Sequence, residues 1–263
     1  MKAAPSPAPR DTQAQLEVRA LSKSFETAAG SLLALSDISF SVRRREFLTV
    51  IGQSGCGKST LARILAGIET QSAGHVLLNG APVRGPGPDR GMVFQSYTLF
   101  PWLTVRGNVM FGPRQTGKTV RQAAEIADHW IALVGLEAFS EAYPHQLSGG
   151  MKQRVAIARA LANEPRILFM DEPFAALDAQ TRTEVRRELL KLWEQTEITV
   201  VFITHDLDEA VMLADRILVL KAKPGRLDRI LDVPRTRPRD DAFLRSPEFL
   251  DLRANVDALI HAP

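Results

Sequence analysis

The chain has 263 residues, with 33 Lys and Arg against 30 Asp and Glu and a formal net charge of +3. At 45% hydrophobic and 24% charged residues it has the make-up of a globular chain able to bury a substantial core. The even charge balance excludes a disordered charged tail and gives too weak a field to suggest nucleic-acid binding, and a single cysteine, Cys56, excludes an intrachain disulfide.

Residues 1–15 carry Pro5, Pro7 and Pro9 and no apolar h-region, so they read as a disordered lead-in and not as a secretory signal. Leu16 to Leu21 alternates weakly, as an opening strand. Leu35, Ile38, Phe40 and Val42, with polar residues between them, pattern as a half-buried strand. Phe47 to Ile51 is a short apolar run ending in glycine, as in a buried parallel strand. Thr60 to Gly67 reads as a helix with Leu61, Ile64 and Leu65 on one side. Residues 120 to 134 read as a helix with Ile126, Trp130, Leu133 and Val134 on its apolar face. Met151 to Ala162 is an Ala-rich helix. Ile167 to Met170 and Val200 to Ile203 are buried strands flanking the amphipathic helix Thr181 to Gln195. That order makes a βαβ unit and a parallel sheet. The end, Ser246 to Ile260, opens with helix-start chemistry. Phe249, Leu252, Val256, Leu259 and Ile260 form one stripe, to dock on the core or on a partner. Apolar runs such as Ile217 to Leu220 stop far short of the roughly 20 residues that span a bilayer.

Two strings carry chemistry. Gly52-Gln53-Ser54-Gly55-Cys56-Gly57-Lys58-Ser59 fits G-x-x-x-x-G-K-[ST], between a buried strand and a helix, where a phosphate loop has to be. Its glycines let backbone N–H groups turn inward around a phosphate, and the following helix presents its positive end to the same anion. Lys58 would reach the β- and γ-phosphates and Ser59 would hold Mg²⁺. Cys56 has no catalytic role here; it is a small loop residue whose thiol is open to alkylation. The second string is the strand Ile167 to Met170, which delivers Asp171 and Glu172 at its tip. Asp171 would bind Mg²⁺ through water, and Glu172, pointing differently, would polarise the attacking water.

With Leu147-Ser148-Gly149-Gly150-Met151-Lys152-Gln153-Arg154, which is similar to the ABC signature, the chain resembles the nucleotide-binding subunits of ABC transporters from about Leu16 to Arg226. The resemblance implies an α/β fold: a P-loop NTPase with a RecA-like core, an N-terminal antiparallel β subdomain and an inserted α-helical subdomain at about residues 96–160. A short extension, residues 227–263, follows the module at 16–226. It implies ATP and Mg²⁺ as cofactors. The ATP-binding set is Phe25, which resembles the aromatic that stacks on adenine, with Gly52, Gln53, Ser54, Gly55, Cys56, Gly57, Lys58, Ser59 and Thr60. Gln95 resembles the Q-loop glutamine that senses Mg²⁺ and water, Asp178 the D-loop aspartate at the dimer interface, and His205 the switch histidine at the γ-phosphate. Glu172, His205 and Gln95 are thus the catalytic candidates, and Ser59, Gln95 and Asp171 the metal candidates. Ser148, Gly149 and Gly150 would serve ATP bound to the opposite subunit.

The resemblance also implies partners. They are a second copy of the chain in an ATP-dependent homodimer, separate transmembrane permease subunits and, indirectly, a solute-binding protein, with no nucleic acid. The chain would sit peripherally on the cytoplasmic face of the inner membrane. The apolar stretch Ser96 to Val109 would be either a small core under a loop or, on the resemblance, a groove for a permease coupling helix. Several strings resemble the nitrate, sulfonate and taurine importer branch: Leu99 to Val105, the signature with Met151, Thr204 to Ala210, Pro224-Gly225-Arg226 and the short tail through Ser246-Pro247-Glu248-Phe249. Another importer branch, a soluble ABC ATPase and half of an exporter are the alternatives. Four departures stand out: Met151 for Gln, Ala176 for Ser or Gly, Gly107 for an acid, and Arg45 for Gly before the P-loop strand. The last is expected to alter that turn, because Arg takes positive φ poorly.

Overall fold

The computed structural model describes residues 14–28, 30–196, 198–234, 237, 239 and 242–261. Residues 1–13 of the expected lead-in lie outside the described residues, whereas Ala14 and Gln15 are not disordered: they open the first strand, with Gln15 buried. A long hairpin comes first: β1 (Ala14–Thr27) runs antiparallel to β2 (Gly30–Arg43). Leu35, Ile38, Phe40 and Val42 are all buried although the step from 35 to 38 breaks the period of two. Asp37 resolves the mismatch. It takes φ +50, and three residues of β2 there face two of β1, so a bulge returns Leu35 to the buried face.

The chain continues through β3 (Phe47–Gly52), α1 (Lys58–Leu65), β4 (Ala73–Leu78), β5 (Ala81–Pro82) and β6 (Arg90–Val93). Next come α2 (Val105–Gln115), α3 (Val120–Leu133), α4 (Gly149–Leu161), β7 (Ile167–Asp171), α5 (Ala179–Gln195) and β8 (Thr199–Ile203). It ends with α6 (Leu207–Leu213), β9 (Arg216–Lys221), β10 (Arg226–Asp232) and α7 (Pro247–His261). Two sheets result. An antiparallel one has the order β2-β1-β4-β5. The other has the order β10-β9-β3-β8-β7-β6 and is parallel except at β10.

The apolar runs of β7 and β8 follow from cover on both faces. Leu168, Met170, Val200 and Phe202 enter the core shared with the helices α2 to α4. Ile167, Phe169, Val201 and Ile203 enter the core shared with α1 and the antiparallel sheet. A strand so covered needs no polar alternation. The sheet's carboxyl edge then gathers the ends of β3, β7 and β8, the place where open α/β sheets bind ligands.

The expectation for α3 is corrected in part. Its buried face is Ala123, Ala127 and Ile131, with Val134 buried just past its end; Leu133 is 38% exposed, and Ile126 and Trp130 only flank the core. The alanines let α3 approach its neighbours closely, so the small residues mark the contact. In the turn before β3, Arg45 takes φ +56 while its N–H donates to Thr199 Oγ1 at 2.9 Å. Of the two expectations for the terminal helix, docking on the core is the one observed: Phe249 and Val256 of α7 are buried with Ile51, α6 and β9.

Candidate functional site

β3 ends at Gly52, and the loop that follows turns through Gly55 (φ +78) and Gly57 (φ +90) before α1 begins at Lys58. These angles are open to glycine and costly for other residues. Lys58 is only 6% exposed, and its ammonium donates to the carbonyls of Gly52 (2.8 Å) and Gln53 (3.2 Å). The lysine therefore folds over the loop interior, where an anion's oxygens would replace those carbonyls. Cys56 is fully buried, its sulfur 4.0 Å from Lys58 Nζ. Burial pushes its thiol up in pKa, only partly offset by the Lys58 charge. The expected alkylation site is thus closed: the thiol is inaccessible, and burial disfavours its reactive thiolate form.

A second glycine contact shapes the loop from outside. Gly225, in the turn between β9 and β10, donates its N–H to Ala34 O at 2.9 Å and accepts from Ser36 N at 2.8 Å. A Cβ at Gly225 would overlap the Cys56 carbonyl oxygen. On another side, the Gln53 side-chain amide donates to the Ile260 carbonyl, at the end of α7, at 2.9 Å. Neither contact is legible in the sequence. Gly225 stands out there only within a family string, and Gln53 meets a residue far along the chain.

Ser59, in the first turn of α1, donates its hydroxyl to Asp171 Oδ1 at 2.9 Å. Asp171 is 4% exposed, and its carboxyl is held above the ordinary range by burial, with the neighbouring Glu172 charge adding to this and the Ser59 hydrogen bond opposing it. The pair faces a cavity of about 440 Å³ that Gln95, Tyr97, Arg63 and Ala176 also line. All three metal candidates therefore line one cavity. The donors are hard oxygens, and a carboxylate whose charged form is disfavoured by burial gains most from a divalent cation. With phosphate oxygens completing the shell, that set suits Mg²⁺.

Glu172 follows Asp171 at φ +45, its N–H donating to Ile203 O at 2.9 Å. That strained backbone turns its side chain away from Asp171 and toward the next strand, where its Oε2 lies 3.1 Å from His205 Nδ1. Carboxylate and imidazole thus meet just past the carboxyl ends of β7 and β8, 20% and 62% exposed.

The signature residues lie elsewhere. Ser148 caps α4, accepting from Met151 N at 3.3 Å. Gly149 and Gly150 face Tyr97, Leu177, Thr181 and Val185, whereas the phosphate loop's neighbours are Leu35, Leu220 and Gly225. Asp178 caps α5, accepting from the N–H groups of Gln180 and Thr181 and the Thr181 hydroxyl (3.1, 3.0 and 2.6 Å). The Thr181 bonds hold its carboxyl below the usual carboxylate range. Phe25 stands on β1, half-buried, with Lys23 Nζ 4.7 Å from its ring centre.

The stretch after Gln95 divides in two. Tyr97 and Leu99 pack on the helical core. Phe100, Trp102 and Phe111 form a surface cluster, with ring centres 5.5 and 4.5 Å apart and Trp102 70% exposed. Asn108, fully buried, clamps the loop beneath it: it accepts from Phe100 N at 2.8 Å and donates to the carbonyls of Phe100, Leu103 and Thr104.

A RecA-like core with a glycine-lined phosphate loop, a serine–aspartate pair and an adjacent carboxylate define a P-loop ATPase. Residues 35–175 match the ABC transporter family, and the chain belongs to it. It is 53% identical over 242 residues to an uncharacterized ABC transporter ATP-binding protein of Methanocaldococcus jannaschii, covering 92% of this chain and 90% of that one. It is 44% identical to the nitrate import ATP-binding protein of Synechocystis (93% and 94% covered) and 42% identical to the taurine import ATP-binding protein of Jannaschia (93% of each). Among solved structures it resembles an ATP-binding cassette captured as a dimer after hydrolysis with ADP and Pi. The TM-score is 0.73 at 31% identity, covering 84% of this chain and all of that one. The chain is an ATP-hydrolysing enzyme of the ABC type, and no helix among its described residues is long and apolar enough to cross a membrane.

Proposed function

We propose that this ATPase powers the import of a sulfonate, taurine, nitrate or related small anion. The observation that carries the catalytic part is the meeting of Ser59 with Asp171 and of Glu172 with His205 at one edge of the sheet. The phosphate-loop N–H groups and Lys58 bind the phosphates, and Phe25 offers its ring to the base. Ser59, Asp171 and Gln95 would hold Mg²⁺, which when bound neutralises charge on the phosphate oxygens. Glu172 accepts a proton from the attacking water, and His205 orients that carboxylate and donates toward the γ-phosphate.

One copy does not complete the site, because the residues nearest Gly149 and Gly150 are Tyr97, Leu177, Thr181 and Val185, none of them in the phosphate loop. Two copies close on two ATP molecules, each signature serving the partner's nucleotide. Asp178, held ionised by its cap, lies on the dimer interface. The exposed cluster around Trp102 receives a coupling helix of a separate permease, at the cytoplasmic face of the membrane. The substrate class rests on likeness to the nitrate and taurine import proteins. Reconstitution with the cognate permease and solute-binding protein tests it. ATP hydrolysis stimulated by taurine, another sulfonate or nitrate supports the proposal. Stimulation only by a cationic or sugar substrate overturns the substrate class.

A further inference from the structure

Glu209 is a carboxylate with 4% of its surface exposed, in a helix whose other buried residues are apolar. Burying such a group is costly unless its partners are specific. Its Oε2 accepts the Thr204 hydroxyl at 2.6 Å. The oxygen of that hydroxyl accepts the Asp206 N–H at 3.0 Å, and Asp206 Oδ1 accepts the Glu209 N–H, also at 3.0 Å. In a capping box the third-position carboxylate takes the N-cap N–H directly. Here the Thr204 hydroxyl is interposed, so the ring closes around the intervening residue, His205. Arg182 extends the ring toward the loop before α5. Its guanidinium donates to Leu177 O at 3.0 Å and lies 3.6 Å from Asp206 Oδ2.

We infer that Glu209 is a positioning residue for ATP hydrolysis: through Thr204 it fixes the backbone on both sides of His205, and so holds the imidazole against Glu172. This rests on the proposed catalytic role of His205. Glu209 itself bonds to Thr204 and the helix cap, and not to the imidazole. A carboxamide accepts the same hydrogen bond, whereas alanine leaves the Thr204 hydroxyl without its acceptor.

The test is steady-state ATP hydrolysis by the purified full-length chain, with kcat per folded molecule and KM determined separately. Glu209→Ala is expected to lower kcat about five- to thirtyfold, the equivalent of one disrupted hydrogen-bond network, at unchanged KM. Glu209→Gln is expected to recover most of the rate. Thr204→Val should reproduce the alanine effect, and it carries the test if Glu209→Ala fails to fold. If both Glu209→Ala and Thr204→Val turn over at the parent rate while His205→Ala does not, the positioning role is overturned and the site assignment stands. If His205→Ala also turns over at the parent rate, both are overturned.

Discussion

Glu172 and His205 meet at 3.1 Å from the tips of two neighbouring parallel strands, and the positive φ of Glu172 is what turns its carboxylate toward the imidazole. The pairing gives two adjacent acids different neighbours, with Asp171 on Ser59 and Glu172 on the histidine. Glu172→Gln keeps the shape and removes the proton acceptor. Hydrolysis is expected to fall by about 10²- to 10⁴-fold, while nucleotide binding survives. Parallel measurements of turnover and equilibrium ATP binding check this; loss of both together would show that Glu172 supports the fold of the site and not its chemistry.

Lys58 spends its hydrogen bonds on the loop's own carbonyls. Lys58→Ala removes the ammonium from the loop interior and is expected to weaken ATP binding by about tenfold or more, on the scale of a charge-assisted hydrogen bond. Titration with a fluorescent ATP analogue measures it, and ADP should lose less because its terminal phosphate reaches less far.

Gly225 presses on the backbone of Cys56. Gly225→Ala must move that backbone or the β9–β10 turn. Overpacking of this kind is expected to cost about 1–3 kcal/mol and to weaken ATP binding as well. Thermal melting with and without ATP distinguishes a local from a general effect. A lowered melting temperature with undiminished stabilisation by ATP would separate the turn from the site.

Burial pushes the Glu209 carboxyl up to about 7 from its usual value of 4.5, with Asp206 acting in the same direction and Thr204, Arg182 and Arg186 opposing it. The folded state therefore holds a proton that the unfolded state has released between about pH 4.5 and 7. Stability contributed by this group falls as pH rises across that window, by up to about 3 kcal/mol. Glu209→Gln should remove this component, so its advantage over the parent in chemical denaturation should grow from pH 5 to pH 8.

Trp102 is 70% exposed above a loop that Asn108 has already clamped. Trp102→Ala is expected to change stability by no more than about 0.5 kcal/mol. In a reconstituted transporter it should nevertheless lower transport and substrate-stimulated hydrolysis, while the isolated chain hydrolyses ATP as before. Unimpaired transport would move the permease contact elsewhere.

Local patterns make much of this legible. The phosphate loop is one contiguous string between a strand and a helix, and Ile167 to Glu172 announces both a buried strand and its two carboxylates. What stays hidden depends on packing across distance. Periodicity misplaces the α3 face because bulky Ile126 and Trp130 carry more hydrophobic weight than Ala123 and Ala127, though the alanines make the contact. Cys56 lies in a loop of small and polar residues that suggests exposure, yet the loop folds inward around Lys58. In the sequence Glu209 stands out only within a family string, and its burial against the Thr204 hydroxyl appears only in the folded chain.

The bond from Gln53 to the last turn of α7 has a practical consequence. The last turn of α7 is tied to the phosphate loop itself, so cutting the chain back before Ile260 would take a contact away from the loop as well as a helix from the core. A label introduced at Leu250 (54% exposed, earlier on the same helix) would report on α7 from a position removed from that bond.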